Sequence, residues 1–439
     1  MSIIFEEFID MVITNRRDFI GAAGALSVAG KTRAMTHASE PGSVETDLLR
    51  YTRFGIKRAG GPGDMACGEW LASELASAGY AVERQHFSAP YFETSMAELS
   101  CGSSTAKVFP QPIVIETPDN GVSGPLVRVD QFGHFAGSMQ GAIALIDLPF
   151  ARWSSLLSKA IHGPVSAAFA AGAKAAVIIT NGPTGKIIAL NADGRQPMFA
   201  GPIALLAPED ARDFLAAAMT REDVRLIIRG KGGRRDAFNF VGRIDRGKGR
   251  WLAVSTPRSG WFTCAGERGP GVAVWLRLAR WAAISLTDVD LAFICNTGHE
   301  YEYLGASEAM KQIAPPPAQT RFWLHLGANV AARDWHDLAG LSPLPGADSQ
   351  RYLSITPSLV PMAASIFANQ PGYEVPVSSD EAAAGELVEV IKAGFTPAAG
   401  VFGVHRFHHV AEDDERCLNV DATVVAERGF RRLIEAVLS

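Results

Sequence analysis

The run Phe293-Ile294-Cys295-Asn296-Thr297-Gly298-His299-Glu300 carries an apolar strand straight into a turn that bears an imidazole and a carboxylate side by side. Both groups bind metal ions and both exchange protons, and α/β enzymes place such groups just beyond strand ends. A second concentration of candidate ligands is His405, His408 and His409, of which His405 and His408 read as packing or surface residues on a strand-like alternation. Serine chemistry finds no support, since no Gly-x-Ser-x-Gly elbow accompanies a triad. Gly230-Lys231-Gly232-Gly233 lacks the strand and helix flanks of a phosphate loop and reads as a turn.

The elements that must position these residues are legible in outline. Trp70, Leu71 and Leu75 stand at helical spacing with Gly79 placed to end the helix, and Ala81 to Phe87 then alternates as a strand. Strands are expected at Gly141 to Leu148, Ala175 to Thr180, Phe240 to Ile244, Leu252 to Ser255, Leu291 to Cys295 and Phe322 to Leu326. Helices are expected at Ser155 to Ala171, Gly271 to Ile284, Ser307 to Ile313 and Asp421 to Leu438, the last with Asp421 as its cap. Strands alternating with helices imply an α/β fold with a mostly parallel central sheet flanked by helices, and ligands at the carboxyl ends of its strands.

At 439 residues, 47% hydrophobic and 20% charged, the chain can bury a large core in more than one structural unit. A formal charge of −5 with no Lys/Arg block argues against a nucleic-acid surface. No mature segment holds 18 consecutive apolar residues, so none is expected to span a membrane. Cys67, Cys101, Cys264, Cys295 and Cys417 are odd in number and widely spaced, which suits buried thiols better than a disulfide framework or a cysteine zinc site.

The turn Gly298-His299-Glu300-Tyr301-Glu302-Tyr303-Leu304-Gly305-Ala306 resembles the Gly-Glu-Glu-x-Gly-Leu-x-Gly-Ser motif of the zinc aminopeptidase and glutaminyl cyclase superfamily. The opening helix, glycine and strand resemble the start of that zinc exopeptidase fold. The run Ala170 to Asn181 looks like the protease-associated domain inserted into exported members. The resemblance thus implies three parts. Residues 1–38 form a signal and N-terminal tail, 45–100 with 235–439 the exopeptidase-like domain, and 101–234 the protease-associated insert, a lid or wall near the site.

Carried over by motif, the resemblance places Glu300 on metal and His299 where the family has its general base. Thr256 stands in the place of a histidine ligand, with Arg258 two residues on. Glu267, before Arg268-Gly269-Pro270-Gly271, takes the place of the bridging carboxylate, His325 that of an aspartate ligand, and His409 that of the terminal ligand. One metal of the family's pair therefore keeps competent ligands in Glu267, Glu300 and His409, resembling the single-zinc site of glutaminyl cyclases. Three ligands and an open position are also what catalytic zinc needs. The expected cofactor is one zinc ion or none. His325, Arg258 and Thr256 would then line the cavity, Arg258 as an anchor for a carboxylate.

The implied activity is metal-dependent hydrolysis of an amide bond in a peptide or peptide-like substrate. The alternative is an inactive relative that binds a peptide or small ligand in the old cavity. Arg16-Arg17 before the small-apolar run Gly21 to Gly30 resembles a twin-arginine export signal, with Met11 as the expected start and Thr36-His37-Ala38 as a candidate cleavage site. A periplasmic or extracellular location is expected.

Overall fold

The computed structural model describes residues 42–336 and 342–439. The arginine pair and the candidate cleavage site lie outside the described residues.

Helix α1 (Val44–Arg53) is capped by Ser43, whose hydroxyl accepts from Thr46 N–H, and α2 (Pro62–Ser77) opens with proline at its first position. Gly79, at φ +92°, turns the chain into β1 (Ala81–Cys101). That strand runs 21 residues, well past the Ala81 to Phe87 expected, because it pairs antiparallel with β7 (Asp223–Ile244) from Ala81↔Arg243 to Ser100↔Arg225. Gly230 to Gly233 is therefore mid-strand and not a turn. A Cβ at Gly230 would lie 2.5 Å from the Phe92 ring, and one at Gly233 would lie 3.3 Å from Tyr91. The glycines admit the aromatic rings of the neighbouring strand.

Between the two long strands lie β2 (Ser104–Pro110), β3 (Val122–Val129), β4 (Ile143–Asp147), β5 (Ala175–Ile179) and β6 (Ile203–Leu206), with helices α3 (Lys159–Ala170) and α4 (Arg212–Thr220). Hydrogen-bonded neighbours run in a closed circuit, β1-β2-β6-β5-β4-β3-β7 and back to β1. Alternate residues of β4 feed different cores: Ile143 and Leu145 join Phe214 of α4, whereas Ala144 and Ile146 join Ile161 and Val165 of α3. The second of these cores also takes in Phe407, Val410 and Cys417 from the far end of the chain, so the segment between β1 and β7 packs directly against the loop that carries His408 and His409.

The other half of the sheet continues through β9 (Asp290–Asn296), β8 (Trp251–Pro257), β10 (Thr320–Leu326) and β15 (Ala398–Gly403) to β13 (Arg351–Ile355) and β14 (Val377–Ser378). Strands β9, β8, β10 and β15 are mutually parallel, while β7 and β13 join them antiparallel, so the sheet is mixed. Every residue of β8 and β9 is buried, as expected of parallel strands covered on both faces. One face is covered by α2, α5 (Ala265–Ser285), α7 (Val360–Phe367) and α9 (Val420–Leu438) through Trp70, Leu75, Trp275, Phe367 and Phe430. The other carries α6 (Leu304–Gln312) and α8 (Leu387–Lys392) through Ala309, Leu387 and Val390. A separate ribbon pairs β11 (Arg333–Trp335) with β12 (Pro343–Ala347). Helix α9 is capped by Asn419, which accepts from Ala422 N–H; Asp421 sits in the first turn instead, where a carboxylate favours the helix dipole. Among the described residues no helix is long and apolar enough to cross a membrane.

Candidate functional site

The parallel strands end at Pro257, Asn296, Leu326 and Gly403, and the candidate residues occupy the loops that follow. The first turn of α5 is pinned by Asp413, whose carboxylate accepts from Gly266 N–H at 2.7 Å and Glu267 N–H at 3.1 Å. Residue 266 must be glycine here, because a Cβ would lie 2.8 Å from Cys417 and 3.0 Å from both Asp413 and His405. This packing fixes Glu267 and Arg268 in a fully enclosed position, 1% and 0% exposed.

Three groups converge on Oε1 of Glu267: Arg268 Nη2 at 2.7 Å, His409 Nε2 at 3.2 Å and His408 Nδ1 at 3.9 Å. His409 adopts a left-handed backbone at φ +59° and is tied to the segment between β1 and β7. Its Nδ1–H donates to the Ala189 carbonyl at 2.8 Å while its own carbonyl accepts from Ala189 N–H at 2.9 Å. With Nδ1 protonated, Nε2 directs a lone pair at the carboxylate, a contact that only a proton or a metal cation can bridge favourably. The His408 ring stacks on His409 at 3.9 Å, and its Nε2 lies 3.3 Å from Ser154 Oγ, again between β1 and β7. Burial would raise the Glu267 carboxyl, but Arg268, then His409 and His408, hold it well below the usual carboxylate range. Glu267, His408 and His409 offer three donors within 4.8 Å of one another. Two imidazoles and a carboxylate form a donor set that suits zinc. His408, read from sequence as packing, belongs to this group.

Glu300 does not. Its Oε1 accepts from Ala59 N–H and its Oε2 from the Ser259 hydroxyl, both at 2.7 Å, and it is absent from both clusters of three donors found among the described residues. Ser259 Oγ in turn accepts from Gly298 N–H at 2.7 Å and His299 N–H at 3.3 Å, so the Glu300 carboxylate helps to hold the turn that presents His299. Burial raises the Glu300 carboxyl against these hydrogen bonds.

His299 points to a partner that sequence reasoning missed. Its Nδ1 lies 3.3 Å from Oε1 of Glu386, whose Oε2 accepts from Asn296 Nδ2 at 3.0 Å and lies 4.0 Å from His325 Nε2. Glu386 follows Ala382-Ala383-Ala384-Gly385, a stretch with no motif to single it out. His325 Nδ1 meets Ser255 Oγ at 2.9 Å, and that oxygen also accepts from Trp323 Nε1 at 2.8 Å. Burial, reinforced by Arg268 against the opposing pull of Glu386, pushes His299 down to about 4. Burial likewise takes His325 to about 4. Both imidazoles are neutral at neutral pH.

Thr256 and Arg258 face elsewhere. The Thr256 hydroxyl donates to the Leu326 carbonyl at 2.9 Å. Arg258 is fully buried between α2 and the sheet, with Nε 2.9 Å from Asp64 Oδ1 and Nη2 donating to the Phe238 carbonyl at 2.7 Å. Its guanidinium is thus committed to Asp64, which leaves no geometry for anchoring a ligand carboxylate. A second donor cluster, His405, Asp413 and Cys417, is tied to scaffolding through the bonds of Asp413 to α5, and burial pushes the Cys417 thiol far up.

The backbone has known counterparts among solved structures. A zinc aminopeptidase from Bacillus subtilis superposes with a TM-score of 0.70 over 90% of this chain and 95% of its own, at 17% identity. The fold is that of the zinc aminopeptidases. An aminopeptidase from an Aneurinibacillus strain gives a TM-score of 0.61 at 18% identity over 88% of this chain and 92% of that one. A peptidase precursor from Shewanella amazonensis gives 0.70 at 16% identity over 98% and 96%. In sequence, 142 residues are 27% identical to a probable lipoprotein aminopeptidase of Mycobacterium tuberculosis, covering 30% of this chain and only 28% of that relative's length. No protein-family model matches.

The segment between β1 and β7 covers the candidate residues. Besides Ser154 and Ala189, it contributes Ala192 N–H to the Glu300 carbonyl at 3.2 Å, Asn191 Oδ1 to Trp261 Nε1 at 3.0 Å, and Arg152 to Asp348 at 2.7 Å. Glu267, His299, Glu300, His408 and His409 are each at most 4% exposed, so ligand access requires these loops to part.

Proposed function

We propose that the protein hydrolyses an amide bond of a peptide or peptide-like substrate in the manner of an aminopeptidase, using a single zinc held by Glu267, His408 and His409. The observation that carries this reading is the meeting of those three side chains beside the carboxyl edge of an aminopeptidase-fold sheet, with Nε2 of His409 aimed at the carboxylate. Glu300, assigned to the metal by motif alone, takes the role of holding the His299 turn. The chemistry a zinc ion supplies is Lewis-acid polarisation of the scissile carbonyl and acidification of water.

The chain's own residues supply the proton path. Glu386 accepts the Nδ1–H of His299, which fixes the tautomer and leaves Nε2 to take a proton from the attacking water and return it to the leaving amine. The 4% exposure of His299 supports a transfer that competes little with bulk solvent. The insert, which we place in the protease-associated class over 101–234, forms one wall through Ser154 and Ala189.

Purified protein loaded with one equivalent of zinc should cleave amino-acid amides or short peptides and stop doing so after chelation. Metal analysis should find no more than one zinc per chain, because Thr256 and Arg258 offer no ligands to a second ion. The competing reading, a ligand-binding protein without turnover, is favoured by the cationic Arg268 inside the cavity. An inert zinc-loaded enzyme across a broad peptide panel would establish it. Export remains part of the proposal on the strength of Arg16-Arg17. Changing both to Lys should retain the precursor in the cytoplasm, and unchanged delivery would remove the pair from the argument.

A further inference from the structure

Two fully buried arginines stand in opposite circumstances. Arg258 has a carboxylate of its own in Asp64 and a carbonyl acceptor in Phe238. Arg268 is equally buried, at 0% exposure, yet its Nε, Nη1 and Nη2 make no hydrogen bond among the described residues. Its one ionic contact is Nη2 to Glu267 Oε1 at 2.7 Å, on an oxygen it shares with His409 and His408. A guanidinium carries five N–H donors, and leaving them unmatched in a low-dielectric interior costs several kcal/mol in general.

A neighbour on the same oxygen is also unmatched: His408 Nδ1, 3.9 Å from Glu267 Oε1, is buried without a hydrogen-bond partner among the described residues. The Arg268 Nη2 lies against the same carboxylate oxygen of Glu267 that faces His409 and His408, so the guanidinium borders the zinc-competent group. If Glu267 turns its carboxylate to a metal ion, Arg268 is left without its counter-charge beside a second cation. An incoming anion with oxygen acceptors resolves both deficits.

The geometry points to Arg268 as the receptor for a carboxylate of the substrate, making this a site for small ligands whose free carboxylate lies next to the scissile amide, as in a dipeptide. This rests on the peptide-hydrolase reading for the position of the amide. Because Arg268 adjoins Glu267 in the chain and contacts it, the group it receives lies about one residue from the bond held at the Glu267–His409 group. Longer peptides would present a neutral amide there. A planar guanidinium prefers carboxylate over amide through charge-assisted, paired hydrogen bonds.

The test compares leucyl-glycine with its C-terminal amide on the full-length zinc-loaded protein. Wild type should favour the free acid about 10- to 100-fold in kcat/KM. Arg268→Met should bring the acid-to-amide ratio close to one, and Arg268→Lys should restore part of the preference. That ratio, taken within each variant, is insensitive to how much of the protein folds. Equal handling of acid and amide by wild type would overturn the role of Arg268 while leaving the peptidase reading intact. If neither is cleaved, calorimetric binding of the same pair decides separately. Binding that favours the acid and depends on Arg268 upholds the receptor without the hydrolase, equal binding overturns the receptor, and no binding of either overturns both.

Discussion

Glu267→Ala should lower the free energy of unfolding by about 3–5 kcal/mol, the usual cost of breaking a buried ion pair by removing one partner. The cost arises because Arg268, 2.7 Å away and fully enclosed, has no other carboxylate within contact and no hydrogen bond to protein. His409 loses its partner as well, and its Nδ1 bond to Ala189 then holds an imidazole with nothing opposite Nε2. Glu267→Gln preserves the volume but removes the charge that offsets the guanidinium, so it should fall on the same side, somewhat less severely. Urea denaturation of metal-free protein measures the effect directly, and the variant should take up less zinc than wild type on reconstitution. A loss below about 1 kcal/mol for the alanine variant would mean that the Glu267–Arg268 contact is dispensable and that the guanidinium is satisfied by other means.

His299→Ala should reduce amide hydrolysis by about 10²- to 10⁴-fold, the range typical of removing a general base, while leaving zinc content near that of wild type. Glu386→Gln should lower the rate by a smaller factor, since Nδ1 keeps an acceptor but loses the charge that stabilises the protonated ring. The pH profile gives an independent readout. A base works in its neutral form, and His299 is held down to about 4, so activity should persist through mildly acidic solution and fall only as the pH approaches 4. An ordinary imidazole would lose activity near pH 6.5. Alanine substitution with unaltered turnover would remove His299 from the chemistry. An acid limb near pH 6.5 would show that it is solvated in the working enzyme.

What the sequence by itself determined was the scaffold and the rough location of the chemistry. Strands β8, β9 and β10 read as strands because a parallel strand buried on both faces must be apolar nearly throughout, a local requirement visible in Leu252 to Ser255 and Leu291 to Cys295. Helix α9 was similarly legible from its spacing, although not its cap: Asp421 was expected there, and the backbone instead brings Asn419 to Ala422 N–H. Motif order brought Glu267 and His409 into one list, and the structure puts them 3.2 Å apart.

Tertiary structure alone decided which neighbours each polar group meets. The 21-residue β1 and the strand role of Gly230 to Gly233 depend on a partner 125 to 162 positions away, which no local pattern encodes. Glu300 turns to Ala59 N–H and Ser259, and Arg258 to Asp64, because those acceptors and donors are brought close by α2 and the loop after β8. His408, Arg268 and Glu386 entered the site unannounced for the same reason. Hydrophobic burial is written in periodicity along the chain, whereas the partner of a buried charge is set by direction and distance in three dimensions, and a single sequence records neither.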